Sequence, residues 1–302
     1  YREIINALET ELRLNPADAA PLEILSGFYA DLGAEGKANI ALDRALELKP
    51  FNPYLMMKKA RFLLRKGETA AGARLLRQTS ATFPPLGSQC LDLILDYCRD
   101  YQILKISVPD TDYIRRELGH ALKNRQMLEP AENEYEKAVG LNPGDFRNWL
   151  SLGNILMIRG NFDASRLAFR EALRLKPENA WTWYRLGQLS EKEGNGDTAL
   201  DLYRQAERYD PANKNYPKRI LSLIEKTGGP EAALRYLQTA ADKHPDWAWI
   251  HGARAQILLR ENRIEPALSA VRTARSIDPA HRHYRKLEQQ INRRREEGGK
   301  NE

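Results

Sequence analysis

Half of the 16 prolines in this chain lie on one ruler. Pro16, Pro50 and Pro84 are spaced by 34 residues, and so are Pro143, Pro177, Pro211, Pro245 and Pro279. A fixed period of this length restricts the fold more than any composition does. Each unit is a small supersecondary element that buries its apolar face only by stacking on its neighbours. With each of these prolines set at position 32 of a 34-residue repeat, apolar residues fall at positions 4, 7, 8 and 11 and then at 20, 24 and 27. That is helical spacing on two successive segments, which predicts an all-α helix-turn-helix unit. Small residues at 8, 20 and 27 let the two helices approach closely. Gly33, Gly67, Gly160, Gly194 and Gly228 occupy position 15, where the first helix ends and a left-handed residue is expected. Pro130, Pro230 and Pro266 fall in the first turn of the second helix, where a missing N–H is tolerated.

The best-formed repeat starts at Ala180 and carries Trp183, Leu186, Gly187, Ala199, Tyr203, Ala206 and Pro211. The repeat at Phe146 gives Trp149, Leu152, Gly153, Ser165, Phe169, Ala172 and Pro177, and that at Asp112 gives Leu118, Gly119, Leu122, Ala131, Tyr135, Ala138 and Pro143. These residues resemble the tetratricopeptide repeat, with its W-x2-L-G-x2-Y, A-x3-F and P pattern. Weaker repeats at Ala19, Pro53, Lys214 and Ala248 keep the phase, so the resemblance extends over nearly the whole chain. It implies a right-handed superhelical solenoid of antiparallel helix pairs. On this reading residues 1–18 are the second helix of a truncated repeat, 19–86 two repeats, 87–111 a degenerate repeat or insertion, 112–281 five repeats and 282–302 a capping helix and tail. The cap turns Tyr284, Leu287 and Ile291 inward and its charges outward, and Gly298 to Glu302 is expected to fray. A chain that opens at Tyr1, without an initiator Met and in the middle of a repeat, reads as a fragment whose partner helix lies upstream.

The interruption separates Pro84 from Pro143 by 59 residues. Cys90, Leu93, Ile94 and Tyr97 still hold positions 4, 7, 8 and 11 of a first helix. The following Tyr101 to Val108 alternates at Leu104, Ile106 and Val108, which predicts a strand ended by Pro109-Asp110 and packed against the solenoid.

Catalytic chemistry finds little support. The five histidines show no metal-binding spacing, and no phosphate-binding loop, dinucleotide-binding glycine pattern or nucleophile elbow occurs. Cys90 and Cys98 lie about 12 Å apart along a helix, too far to bridge. No window approaches the ~20 apolar residues of a bilayer span. The reading is a non-enzyme with no cofactor, metal or small-molecule substrate, its compartment unspecified. The net charge of +6 mildly favours acidic partners. It lies wholly beyond residue 111, because the first 111 residues hold 14 basic and 14 acidic side chains.

In the family resembled, positions 2, 5, 9, 12 and 13 of the first helices line a concave groove. Applied here, with position 6 added once, this nominates Tyr54, Arg61 and Arg65; Tyr113, Arg116, His120 and Lys123; Arg147 and Asn154; Trp181, Tyr184 and Arg185; Lys218; and Trp249. Aromatics and cations dominate, a combination suited to an extended, somewhat acidic peptide: arginine pairs carboxylates while aromatic faces cover apolar side chains. The resemblance therefore implies a protein-interaction scaffold. The carboxylate clamp of chaperone-binding relatives is not reproduced, since Leu150 replaces its lysine beside Asn154, and Arg185 its next asparagine. An alternative follows from the Asn-Pro boundaries at Asn15-Pro16, Asn52-Pro53 and Asn142-Pro143. They are similar to those of bacterial repeats appended to membrane glycosyltransferases, polysaccharide polymerases and secretion assemblies, which would place catalysis, and any membrane contact, upstream of this chain. Nucleic acid is disfavoured because the 35-residue RNA-reading period is absent; the basic run Arg293 to Arg295 reads as a solvated helix end.

Overall fold

A computed structural model describes residues 1–298. The described residues form helices in the phase of the proline period: α1 Arg2–Leu14, α2 Ala19–Asp31, α3 Glu35–Leu48, α4 Pro53–Arg65, α5 Thr69–Thr82, α6 Gly87–Tyr97, α7 Tyr101–Ile106, α8 Asp112–Asn124, α9 Leu128–Leu141, α10 Phe146–Arg159, α11 Phe162–Leu175, α12 Ala180–Lys192, α13 Gly196–Tyr209, α14 Asn215–Lys243, α15 Ala248–Arg260, α16 Ile264–Ile277 and α17 Arg282–Gly298. They pack as antiparallel pairs in an all-α solenoid. Two compact bodies result, Tyr1–Leu175 and Lys176–Glu302. Past Gly298, the tail expected to fray lies outside the described residues.

Local chemistry explains where the helices start and stop. Asn52 accepts from the amides of Tyr54 (3.0 Å) and Leu55 (3.1 Å) at the head of α4, with Pro53 in the first turn. Asp18, Asp145 and Asn179 cap α2, α10 and α12 in the same way. The loops before α10 and α12 are held by tryptophan. Trp149 Nε1 donates to the Pro143 carbonyl (2.8 Å), and Trp183 Nε1 to that of Pro177 (2.6 Å). First helices end on a left-handed residue at Gly33, Gly67, Gly160 and Gly194. The same position is left-handed at Gln126 (φ 62°) and Asn262 (φ 57°), where no glycine is available. In α14 the left-handed residue is Gly229 (φ 72°), not the expected Gly228, and it breaks that element into two helices ahead of Pro230.

Within each well-formed pair the second helix lays an aromatic ring on the backbone of the first. A Cβ built on Gly119, Gly153 or Gly187 would sit 2.6 Å from a ring carbon of Tyr135, Phe169 or Tyr203, respectively. All three rings are buried. Position 8 is glycine because nothing larger leaves room for the ring. The cap behaves alike at its own junction: Tyr284, Leu287 and Ile291 of α17 are buried against α16.

The segment expected to be a strand is the helix α7. Asp100 caps it by accepting from the Gln102 amide (2.8 Å). The alternation was ambiguous, because Leu104 and Val108 are also spaced i, i+4 as on a helical face, Val108 following just past the end of α7. Both are buried, whereas Ile106, off that face, is 40% exposed. Packing against the solenoid is observed, with Leu104 and Val108 in one core cluster with Ile94, Ile114 and Leu118. Cys90 and Cys98 are buried free thiols. Glu134 of α9 is fully buried and accepts from Tyr101 Oη (2.6 Å), Arg115 Nη1 (2.8 Å) and Lys137 Nζ (2.8 Å). Arg115, also buried, reaches the Lys105 carbonyl (3.0 Å) and pairs with Asp110. This network fastens α7 to α8 and α9 where the repeat is short.

Two stability outcomes are expected. Gln126→Gly raises the unfolding free energy measured by urea denaturation by about 0.5–1 kcal/mol, since left-handed strain exceeds the added freedom of the unfolded chain; the gain at Asn262→Gly is smaller because asparagine enters that region more readily. Arg115→Leu lowers stability by about 3–5 kcal/mol by stranding the buried Glu134 carboxylate, and Arg115→Leu with Glu134→Leu recovers part of that loss. Equal losses from the single and double replacements would remove the stranded charge as the cause.

Candidate functional site

The first-helix surface of the N-terminal body carries α4, α8 and α10 residues with different fates. Tyr54 (68% exposed), Arg61 and Arg65 stand in solvent on α4. Tyr113 is half exposed on α8, its hydroxyl 3.0 Å from Ser88 Oγ of α6. Arg116 was expected to face a ligand, yet it is only 8% exposed. Its Nη1 donates to Asp145 Oδ2 (2.9 Å) and to Oδ1 of the fully buried Asn148 (2.6 Å). Asn148 in turn donates to the carbonyls of Ala138 and Asn142. Arg116 therefore holds the α9–α10 corner against α8, and little of it is left for a partner. Arg147 is exposed beside Asp145 at 3.6 Å, and Lys123 and Asn154 are half-buried.

His120 is half-buried, with Nε2 3.3 Å from Ser151 Oγ and its ring edge-on to Tyr135. Burial pulls its pKa below the ordinary 6.5; Glu117 opposes this, while Lys123 and Arg116 add to it.

In the C-terminal body the nominated residues come together. Trp181, 46% exposed, stacks on Tyr184 at 5.2 Å, and Tyr184 rests on Tyr203 and Tyr216, both at 5.4 Å. Arg185 lies over the Trp181 ring at 5.9 Å and donates to Gln188 Oε1 (2.7 Å); burial draws its guanidinium pKa down. Lys218 of α14 sits over the Trp249 ring of α15 at 5.6 Å. Trp181, Tyr184, Asn215, Lys218, Arg219 and Ser222 enclose a cleft of about 320 Å³. Its framework is braced by Arg219, which grips Glu191 of α12 with two bonds of 2.7 and 2.9 Å, while Glu191 also accepts from Tyr203 Oη. The Trp249 indole nitrogen is shielded from solvent and has no hydrogen-bond partner.

The face continues onto α17, which the sequence reading treated only as a cap. His283, Lys286 and Gln290 hold positions 2, 5 and 9 of a further first helix and line a cleft of about 590 Å³ with Gln256 and Arg260 of α15. Gln256 and His283 meet at 2.7 Å. The positional rule would have found these three residues had it been carried past Pro279. Asn215 and Ser222 hold groove positions 2 and 9 of their repeat, whereas Arg219, at position 6, was missed because its value comes from facing Trp181 of the preceding repeat. No cluster of three metal-ligating side chains occurs among the described residues, and no described helix is long and apolar enough to cross a membrane. The site offers aromatic surface, amide donors and cations.

Family models described as tetratricopeptide or TPR repeats match residues 153–194, residues 227–291, and residues 117–145 together with 182–213. No curated protein matches the chain. Among solved structures, the chain is similar to the MamA protein at 14% identity and a TM-score of 0.45, over 56% of this chain and 92% of that one. It is also similar to YrrB, described as a TPR protein with an unusual peptide-binding site, at 18% identity and a TM-score of 0.38, over 68% and 93%. The Cut9–Hcn1 hetero-tetramer of APC/C matches at 14% identity and a TM-score of 0.42, over 85% and 52%.

The environment of His120 sets a pH dependence. The folded state binds its proton less readily than the unfolded chain, so the unfolded state takes up more protons as the pH falls below about 6.5. Stability should be complete above that value and decline as pH drops towards the lower folded pKa. His120→Gln should flatten the decline in thermal midpoint between about pH 7.5 and pH 5.5. An unchanged slope would assign the acid sensitivity elsewhere.

Proposed function

Because the chain belongs to the tetratricopeptide repeat family, whose domains bind protein partners, we propose that it is a non-catalytic interaction scaffold holding an extended, somewhat acidic peptide along its first-helix face. The observation that carries this reading is the aromatic and cationic strip of the C-terminal body. Trp181 and Tyr184 form one wall of a cleft whose opposite wall is Lys218 and Arg219. An extended chain places alternate side chains on opposite sides. One side chain can lie on the indole face while its neighbours turn their carboxylates towards the cations. Asn215 and Ser222 supply partners for the peptide backbone, which brings its own unpaired N–H and C=O groups.

The charge balance agrees with an acidic partner. From Lys176 onward the chain holds 23 basic and 18 acidic residues, which is +5 of the total +6. Much of this charge remains available. Lys218 is exposed and Lys286 is exposed, and neither is in a salt bridge among the described residues. Exposed Tyr54, Arg61 and Arg65 on α4, with Tyr113 on α8, offer a similar chemistry on the N-terminal body. Arg116 is a nominated cation whose main duty is internal.

A displayed library of 12-residue peptides selected on the full chain should yield sequences enriched in Asp and Glu around a single apolar residue. Trp181→Ala and Lys218→Ala should each weaken their binding at least about tenfold, as removal of a central aromatic or charged anchor does. Arg61→Ala should matter less for peptides that engage the C-terminal body. Selected peptides that bind both variants as tightly as the original chain would sink this assignment.

A further inference from the structure

One cleft of the C-terminal body is not on the first-helix face. It lies between α13 and the second half of α14, two second helices, and measures about 820 Å³. Its floor is apolar, built from Leu200 of α13, Ile224 of the first half of α14 and the ring of Tyr236. Tyr236 is held in place by its hydroxyl, which donates to the Pro217 carbonyl at 3.4 Å. Ala232, Thr227 and Thr239 line it with short side chains, which leaves the space open.

The rim is cationic. Arg204 and Arg208 project from α13, facing Arg235 and Lys243 of α14. Arg204 has only an exposed i, i+3 partner, Asp201 at 3.4 Å. Among the described residues Arg208, Arg235 and Lys243 form no salt bridge. A single carboxylate, Glu207, lies inside; burial raises its pKa, and nearby Lys243, His244 and Arg204 counter this. Three unpaired cations above an apolar floor are not explained by packing, which would place neutralising carboxylates between the helices.

We propose that this second-helix cleft is a docking site for an acidic amphipathic helix of a partner protein, distinct from the first-helix face and able to be occupied together with it. No unpaired backbone is offered for strand addition, so recognition comes from side chains in a groove, and a helix with one apolar face and acidic flanks matches an apolar floor under a cationic rim. The dimensions agree. The second half of α14, from Pro230 to Lys243, runs about 20 Å at 1.5 Å per residue. A helix about 10 Å across and of that length fills roughly 1,600 Å³, so the cleft accepts about half of it. Leucine-type side chains would cover Leu200, Ile224 and Tyr236, while glutamates on the flanks would meet the four cations. A polyphosphate backbone fits less well, because Glu207 stands inside the cleft and the floor offers no donors.

The test uses the full chain and three fluorescein-labelled probes: an 18-residue amphipathic helix with leucine on one face and glutamate flanking it, the same peptide with lysine for glutamate, and a 12-residue oligouridylate. Anisotropy at about 50 and 150 mM salt should show binding of the acidic helix alone, weakening as salt rises. Arg208→Glu with Arg235→Glu should reduce that affinity at least tenfold, while Trp181→Ala with Lys218→Ala should change it less than twofold. Both pairs lie on side chains with solvent access, and thermal melts should confirm that the variants remain folded. Undiminished binding by the Arg208, Arg235 variant, loss confined to the Trp181, Lys218 variant, no binding of the acidic helix, or tighter binding of oligouridylate would each overturn the proposal. The two variants separate this cleft from the extended-peptide face, so either assignment can fail alone.

Discussion

The structure depends on an aromatic ring seated against a bare stretch of backbone. Gly119, Gly153 and Gly187 each leave a gap into which Tyr135, Phe169 or Tyr203 drops, with ring carbons 2.6 Å from where a Cβ would be. This contact sets how close the two helices of a pair come, and closeness sets how the next pair is placed. Interiors are packed too densely to absorb an extra methyl without moving the ring or the helix. Small residues at positions 20 and 27, such as Ala199 and Ala206, are buried completely for the same reason. With the apolar positions consumed by this packing, positions 2, 5 and 9 of the first helices and the outer positions of the second helices are free to carry recognition chemistry.

Charge in this chain has two separate uses. Around the interruption it is structural: buried Arg115 and Glu134 hold the short helix α7 in place of a missing second helix, assisted by Tyr101 and Asp110. Removing a single partner there leaves a charge without water, so the cluster acts as a unit. Arg116, one residue further along, is structural as well, since Asp145 and Asn148 take its guanidinium. In the C-terminal body the cations are held at the surface instead. Arg219 is braced by Glu191, but Lys218 turns to an indole ring, and Arg208 and Arg235 meet no carboxylate among the described residues. Adjacent cations in one helix, such as Lys218 and Arg219, can thus have opposite roles.

Much of the candidate site was legible because it follows from register. Trp181, Tyr184, Lys218 and Trp249 were found by counting from the prolines, and the structure places the first three around one cleft with the fourth beneath Lys218. Counting failed where the register shifts or a contact crosses between repeats. The stretch Tyr101 to Val108 satisfied both strand and helix periods, and Asp100 capping together with burial of Leu104 and exposure of Ile106 agrees with α7. Register put the turn at Gly228, but the left-handed residue is Gly229, immediately ahead of Pro230. The second-helix cleft had no signal at all, since Arg204, Arg208, Arg235 and Lys243 look like ordinary solvated positions of two amphipathic helices.

By itself the sequence determined that this protein is an all-α solenoid of paired helices, and which side chains lie inward. Those properties depend on spacing along one chain: a 34-residue period, a glycine under each ring, and a cap or proline at each boundary. Only the tertiary structure decided which charges are spent on holding the fold, which remain for a partner, and where second helices part to leave an open cleft. Those outcomes depend on distances between side chains about 30 residues apart, as between Arg116 and Asn148 or Arg219 and Glu191. A one-dimensional period aligns such residues, but the pairing of an arginine with one particular carboxylate or amide depends on angstrom-scale geometry that spacing does not encode.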